Sequence, residues 1–394
     1  MSEKNNLSFE DTEIAFRHSS NSDLNRAYWL FKVINVNFLV KIGPPVTNFA
    51  IKLGLPIKGL IRATIFKHFC GGETITECNK TIKNLSDGNV GTILDYSIEG
   101  EDDEQVFDST RDEIIRTIDR AAADTSVPIT VFKVTGVARF SLLEKLEENA
   151  DLTVEEKAEW EKVKARVLAI CERAFAVHVP VMIDAEESWI QNTIDGLALS
   201  MMEKFNGKKA IVYNTYQLYR HDKLQSLKDD HQEAKKKGFI LGAKLVRGAY
   251  MEKERKRAEE MGYTSPIQPD KQSSDRDYDL SLEYCTDHID EIAFVAGTHN
   301  EDSCRKLADL LNQKNIDHKN PHVYFSQLLG MSDNLSFNLA NADYNVAKYV
   351  PYGPIKAVLP YLFRRAQENT AIAGQMSREL SLIVKEVKRR RSHK

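Results

Sequence analysis

Two adjacent arginines near the carboxyl end of the chain are well suited to binding an anion. The stretch 349–369 starts like a strand, turns at a Gly-Pro pair and continues with helical spacing. One side of that helix carries Tyr361, Arg364, Arg365 and Glu368. A guanidinium group can hold a carboxylate or phosphate through two parallel hydrogen bonds. The pattern therefore predicts either a clamp for an anionic substrate or a solvated face with an Arg364–Glu368 pair.

The elements that must position this pair are short apolar runs alternating with helix-patterned stretches. Eight such runs are predicted to be strands: 90–97, 129–135, 179–184, 210–214, 241–247, 292–297, 322–327 and 345–350. Strands that alternate with helices form βαβ units and a parallel sheet, and eight units close into a barrel. We therefore predict an α/β fold, a distorted (β/α)8 TIM-type barrel with an N-terminal helical segment.

The predicted domain organisation follows from these runs. Residues 1–89 form the N-terminal helical segment, 90–375 the barrel, and 376–394 a helix end with a basic tail. The connection 136–178 is too long to be a structureless loop, so it should contain one or two extra helices. The last ten residues, 385–394, are strongly basic, and we expect them to be frayed.

Within the first segment, residues 1–23 are predicted to be a solvated leader. Residues 24–72 contain no Asp or Glu but seven Lys or Arg, spaced among aromatic and aliphatic side chains. Two interpretations remain open for this stretch. It is either a helical cap whose lysines face water or a basic amphipathic surface for anionic lipid.

Composition excludes several classes of protein. With 42% hydrophobic and 28% charged residues and a net charge of −4, the chain is typical of a globular protein without a nucleic-acid partner. The five cysteines show neither a CxxC pair nor metal-ligand spacing, so we predict no metal site and a reducing compartment. The polar, acidic amino terminus resembles neither a secretory signal nor a transit peptide. No apolar run approaches the ~18 residues of a membrane span, so we expect a cytoplasmic location.

Polar groups at the predicted strand ends are the remaining candidates for chemistry. In parallel barrels, catalytic groups lie at the carboxyl ends of the strands. Lys133 ends the second strand, Asp184 the third, and the fifth carries Lys244, Arg247 and Gly248. Taken singly, each could be only a helix cap or an ion-pair member. The chain lacks both GxGxxG and GxxxxGK[ST], so neither phosphate-binding motif identifies a cofactor.

Several motifs, in order along residues 90–370, resemble the proline dehydrogenase family. The Gly353-Pro354 turn and the Arg364-Arg365-x-x-Glu368 run resemble the last strand and last helix of that family. The resemblance implies that FAD lies across the barrel mouth. It assigns flavin contacts to Ile183, Asn214, Arg247, Gly248, Ala249, Lys271, Ser274, Asp275, Thr298, His299 and Glu368. It also assigns substrate binding to Glu99, Lys133, Tyr349, Tyr361, Arg364 and Arg365, and catalytic roles to Asp184 and Lys244.

The resemblance implies oxidation of L-proline to Δ1-pyrroline-5-carboxylate, with electrons passed to a quinone. A separate pyrroline-5-carboxylate dehydrogenase would then oxidise the product. A peripheral contact with an anionic membrane, at the inner face of the plasma membrane, would suit the quinone and the basic segment. Two positions depart from many bacterial relatives, which have Arg at Lys244 and Gln at Asn214. Hydroxyproline dehydrogenase shares every motif and is the main alternative. A phosphosugar lyase or isomerase and a binding protein without enzymatic activity are the others.

Overall fold

The computed structural model describes residues 7–34, 57–98, 102–371 and 373–392, and the side chains of 367–377 lie outside the description. Eight strands in these described residues follow one another around a closed barrel. The ladders from the first strand to the seventh are parallel. The strands are β1 Gly91–Tyr96, β2 Ile129–Phe132, β3 Val181–Ile183, β4 Val212–Gln217, β5 Leu241–Val246, β6 Ile292–Gly297, β7 Val323–Leu328 and β8 Val346–Tyr352. The predicted (β/α)8 barrel is confirmed.

Helices precede, separate and follow the strands. Before β1 lie α1 Thr12–Phe16, α2 Asn21–Ile34, α3 Lys58–Ile61, a π-helical turn Arg62–Phe66, α4 Lys67–Phe69 and α5 Ile75–Ser86. Between β1 and β8 lie α6 Glu104–Ala122, a 3₁₀ turn Val134–Gly136, α7 Phe140–Glu147, α8 Val154–Ala176, α9 Ser188–Phe205, α10 Lys223–Lys237, α11 Met251–Met261, α12 Lys271–Asp287, α13 Glu301–Gln313 and α14 Asp333–Asn341. After β8 come α15 Ile355–Ala371 and α16 Ala373–Ser392.

Most of the strands form where the sequence is apolar, and several are rich in β-branched residues. Every residue of β2, β4 and β8 is buried. Such burial on both faces is expected of parallel strands that are covered by helices. Some of the helices begin at capping residues; α8, for instance, starts with a capping box formed by Thr153 and Glu156. The two extra helices predicted within residues 136–178 are α7 and α8.

The expectation of a solvated leader over residues 1–23 is wrong for the part that is described. Phe9, Ala15 and Phe16 are buried. The side-chain amides of Asn334 and Asn338, both on α14, donate to backbone carbonyls of this segment. A few apolar side chains are therefore enough to anchor this segment, although most of its other residues are polar.

The expectation of a frayed tail over residues 385–394 is also wrong up to Ser392, where α16 ends. Glu386 is fully buried and pairs with Arg389 and Arg390. Arg390 also donates to the carbonyls of Ser19 and Phe16. The basic residues at the helix end are therefore used as internal donors.

The chain forms two compact units, Met1–Thr92 with Gln327–Lys394 and, separately, Ile93–Ser326. In the first, α2 buries Leu24 and Phe31 but exposes Trp29 and Val33, so one face packs while the other meets solvent. All five cysteines are buried and present as thiols. Among the described residues, no helix combines the length and apolar character needed to cross a bilayer.

Candidate active site

Four charged side chains at the carboxyl ends of strands meet within the unit Ile93–Ser326. Asp95 lies on β1, Lys133 follows β2, Asp184 follows β3 and Lys244 lies on β5. Nζ of Lys244 donates to Oδ1 of Asp184 at 2.6 Å. Nζ of Lys133 lies 3.8 Å from Oδ2 of Asp95 and 4.0 Å from Oδ2 of Asp184. These four residues, the charge cluster hereafter, are largely buried and carry two positive and two negative groups.

The register of β4 and β5 decides which side chains share a face with Lys244. Thr215 pairs with Lys244, whereas Asn214 pairs with Ala243, one position earlier. Neighbouring strand residues point to opposite faces, so Thr215 lies on the face of Lys244 and Asn214 on the other. Nδ2 of Asn214 donates to Asp195 of α9 at 2.9 Å. Asn214 is thus brought together with the helix layer and not with the charge cluster.

Arg247, directly after β5, contacts two other predicted flavin-contact residues, Asp275 and Thr298. Its Nε donates to Asp275 Oδ1 at 2.6 Å and its Nη1 to Thr298 Oγ1 at 2.8 Å. Its guanidinium carbon lies 4.3 Å from the centre of the Tyr278 ring. Burial opposes ionisation of Asp275, but hydrogen bonds from Lys271 and Arg247 outweigh it and hold the pKa of that carboxyl below its usual range.

The position directly after Arg247 requires glycine. Gly248 has φ +142°, and a Cβ there would lie 2.3 Å from the ring of Tyr219. No other residue fits this combination of backbone angle and close approach. Ala249 follows it, and both residues are exposed, so the backbone directly after Arg247 carries no large side chain.

The other predicted flavin contacts are distributed around the same strand ends. Ile183 is the buried last residue of β3, and Ser274 is buried on α12. Lys271, on the same helix, is exposed and pairs with Asp275 at 2.5 Å. His299 is half-buried between β6 and α13. The neighbouring Asn300 caps α13 by accepting from the backbone N–H of Ser303.

The arginine pair lies on α15, as predicted, in the other unit. Arg365 is buried and its guanidinium carbon lies 5.2 Å from the centre of the Tyr361 ring. Arg364 is half-buried and Tyr349, on β8, is buried. Glu99 lies outside the described residues, and so does the side chain of Glu368. The interpretations of these two residues therefore stay predictions.

Three further residues, in or near the charge cluster, were not predicted to belong to the site. Asp95 belongs to the cluster, and its signal was a carboxylate inside an otherwise apolar strand. Glu186 is buried two residues after Asp184, in a run of carboxylates that directly follows a strand. Gln217 lies on the Lys244 face of β4 by alternation. Its buried Oε1 has no hydrogen-bond partner among the described residues.

The fold and the cluster define an α/β-barrel protein with a charged site at its strand ends. A family model described as proline dehydrogenase matches residues 78–378. The chain belongs to the proline dehydrogenase family, whose members are oxidoreductases that act on proline.

Two relatives and one solved structure are similar to this chain. "Proline dehydrogenase 1, mitochondrial" of Dictyostelium discoideum is 33% identical over 98% of this chain and 76% of that protein. "Hydroxyproline dehydrogenase" of Xenopus laevis is 28% identical over 98% of this chain and 90% of that protein. The crystal structure of proline utilization A from Bdellovibrio bacteriovorus matches with a TM-score of 0.72 and 20% identity. That match covers 91% of this chain and 38% of the larger protein, and it shows the fold alone.

Proposed function

We propose that this chain oxidises L-proline to Δ1-pyrroline-5-carboxylate with bound FAD, and that the electrons leave to a quinone. The observation that carries the proposal is the charge cluster, held at the strand ends of a member of this family. Its two largely buried ammonium groups can face the substrate carboxylate and the flavin ring, which gains negative charge when it is reduced.

The residues present fit a flavin. Gly248 and Ala249 leave the backbone accessible, and Arg247 is fixed beside it by Asp275 and Thr298. Gln217 offers a buried oxygen acceptor on the Lys244 face, which suits the N–H group of a flavin ring. When bound, FAD supplies the acceptor for the hydride.

The remaining predicted contacts include three residues that are proposed for the adenosine end of FAD. Lys271, Ser274 and Asp275 are proposed to face its adenosine end, and the contacts of Thr298, His299, Ile183 and Glu368 stay predictions. Asn214 is not proposed as a contact, because its side chain lies on the other face of β4 and donates to Asp195. Lys244 is proposed to stabilise the negative charge that develops on the ring.

Substrate binding is proposed to rest on three cations. Lys133, Arg364 and Arg365 would neutralise the carboxylate and fix the orientation of the ring, an effect of positioning. The phenol rings of Tyr349 and Tyr361 would cover the substrate and exclude water. Arg365 already lies over the Tyr361 ring, so this pair is preorganised within α15.

Asp184 is proposed to organise the proton that leaves the ring amine. The reaction removes a hydride from the ring carbon beside nitrogen and a proton from nitrogen. Asp184 accepts from Lys244 through Oδ1, and its Oδ2 lies 4.0 Å from the Lys133 ammonium. Its carboxylate would stabilise positive charge at nitrogen, with solvent as the final proton acceptor.

Hydroxyproline oxidation is the second candidate, supported by the Xenopus laevis relative. Proline is favoured because the Dictyostelium discoideum relative shares more identity with this chain. Residues 24–72 contain Lys and Arg but no Asp or Glu. From this segment we propose a cytoplasmic location with peripheral contact at the inner face of the plasma membrane. We also propose that a separate pyrroline-5-carboxylate dehydrogenase takes up the product.

The test is turnover of the purified protein. We expect a yellow protein that reduces a soluble quinone when L-proline is added and forms a pyrroline that o-aminobenzaldehyde traps. N-propargylglycine, named as the inactivator of the Bdellovibrio bacteriovorus protein, should also abolish this activity. A colourless protein, or one without proline-dependent quinone reduction, would overturn the proposal.

A further inference from the structure

Glu186 lies at a junction between three strand ends. It belongs to the turn between β3 and α9 and is only 3% exposed. Its carboxyl accepts from the backbone N–H of Thr135 at 3.0 Å and contacts the Thr135 hydroxyl. Its own N–H donates to Gln191 Oε1 at 2.7 Å, and its carbonyl accepts from Gln217 Nε2 at 2.9 Å. One residue thus connects the carboxyl ends of β2, β3 and β4.

The contact with Thr135 bears directly on Lys133. Thr135 lies two residues after Lys133, in the 3₁₀ turn Val134–Gly136. The Lys133 ammonium lies 3.8 Å from a carboxylate oxygen of Asp95 and 4.0 Å from one of Asp184. The backbone around Lys133 sets where its side chain begins. Glu186 holds that backbone through its contacts with Thr135.

The junction is braced from outside the barrel. Nε2 of Gln191 donates to Asp195 Oδ1 at 2.7 Å, and the same carboxylate accepts from Asn214 and Lys223. Burial raises the pKa of Glu186 to about 8, in spite of the hydrogen bonds from Thr135. At neutral pH the side chain is therefore mainly a neutral acid, which a glutamine closely resembles in shape and charge.

We propose that Glu186 is a positioning residue that holds the turn after β2 so that Lys133 faces the substrate carboxylate. The inference rests on the proposed function, because it takes Lys133 as a substrate contact. A residue needed only for folding would change stability without a specific change in substrate affinity.

The experiment compares Glu186→Ala with Glu186→Gln, alone and in a Lys133→Met background. Each protein is first matched for flavin absorbance and melting temperature. The readouts are KM and kcat for L-proline and the Kd of tetrahydrofuran-2-carboxylate, measured from the flavin spectrum. Displacing a positioned group by about 1 Å costs roughly 100-fold. We therefore expect Glu186→Ala to raise KM and Kd about 10- to 100-fold, and Glu186→Gln to change them less than about threefold.

In the Lys133→Met background, Glu186→Ala should have no further effect on the Kd, because the group it positions is gone. The inference is overturned if Glu186→Ala keeps the wild-type Kd, or if it raises the Kd equally in both backgrounds. If Glu186→Ala does not fold, Thr135→Val and Thr135→Ser provide the same comparison, since only serine keeps the hydroxyl. Wild-type protein that does not oxidise proline would overturn the proposed function instead, so the two failures are distinguishable.

Discussion

Lys244 of the charge cluster and Arg364 of helix α15 differ in how far they are buried. In the cluster, Lys244 and Asp184 form a 2.6 Å ion pair with side chains about one-tenth exposed. On α15 the described contact of Arg365 is with the ring of Tyr361, and Arg364 is half-buried. Removal of one partner of a buried ion pair costs much stability, whereas removal of a half-buried guanidinium costs less. Substitutions in the cluster should therefore affect folding and activity together, and substitution of Arg364 should affect mainly substrate binding.

The largest effect is expected for Lys244→Met. The substitution leaves the buried Asp184 carboxylate without its closest cation, which costs roughly 3 to 5 kcal/mol in free energy of unfolding. Urea denaturation measures this directly. The control is Lys256→Met, which removes an exposed ion pair with Glu260 and should cost less than about 1 kcal/mol. Equal losses in the two variants would show that the cluster is not a buried ionic unit.

Arg364→Met should raise the KM for L-proline by roughly 10- to 100-fold while flavin stays bound. A charge-assisted hydrogen bond to the substrate carboxylate contributes about 1.5 to 3 kcal/mol. The free energy of unfolding should change by less than about 1 kcal/mol, since the side chain is half-buried. Lys356→Met, an exposed lysine on the same helix, is the control and should leave KM unchanged. An Arg364 variant with wild-type KM contradicts the clamp.

Arg365→Met should raise the KM for L-proline similarly, with an added loss of stability because this arginine is buried.

Tyr349 should set the choice between imino acids. The resemblance implies tyrosine here in proline dehydrogenases and serine in hydroxyproline-specific relatives. A ring packed against the substrate leaves no partner for a 4-hydroxyl group, and an unpaired hydroxyl costs roughly 1 to 3 kcal/mol. We expect kcat/KM for proline to exceed that for trans-4-hydroxy-L-proline by about tenfold or more. Tyr349→Ser should narrow the ratio and Tyr349→Phe should keep it. Equal use of both substrates by the wild type rejects the assignment to proline.

The smallest effect concerns the outer face of α2. Trp29 and Val33 are exposed, and Nζ of Lys32 lies 5.0 Å from the Trp29 ring centre. Binding to anionic liposomes should be measurable by flotation at low salt and weaken as salt screens the charges. Trp29→Ser should reduce it, whereas Val154→Ser, at an exposed position on α8, should not. Without lipid binding at low salt, the segment is only a structural cap.

The sequence was sufficient for the strands because parallel strands are buried on both faces and appear as apolar runs. It was not sufficient to show which face of a strand each side chain lies on. Asn214 and Thr215 are adjacent, and only the pairing of Thr215 with Lys244 shows which of them shares the face of the cluster. Glu186 was missed for a related reason, since its role depends on Thr135, Gln191 and Gln217 from other elements. The burial of α1 also depends on distant partners, Asn334 and Asn338.

The most direct test of the central claim is an anaerobic titration of the purified wild-type protein with L-proline. The flavin absorption band should bleach as proline is added, with about one pyrroline formed per flavin reduced, because each turnover transfers one hydride. The Lys256→Met control should bleach in the same way, and Arg364→Met should require much more proline. A flavin band that stays oxidised at saturating L-proline would contradict the account.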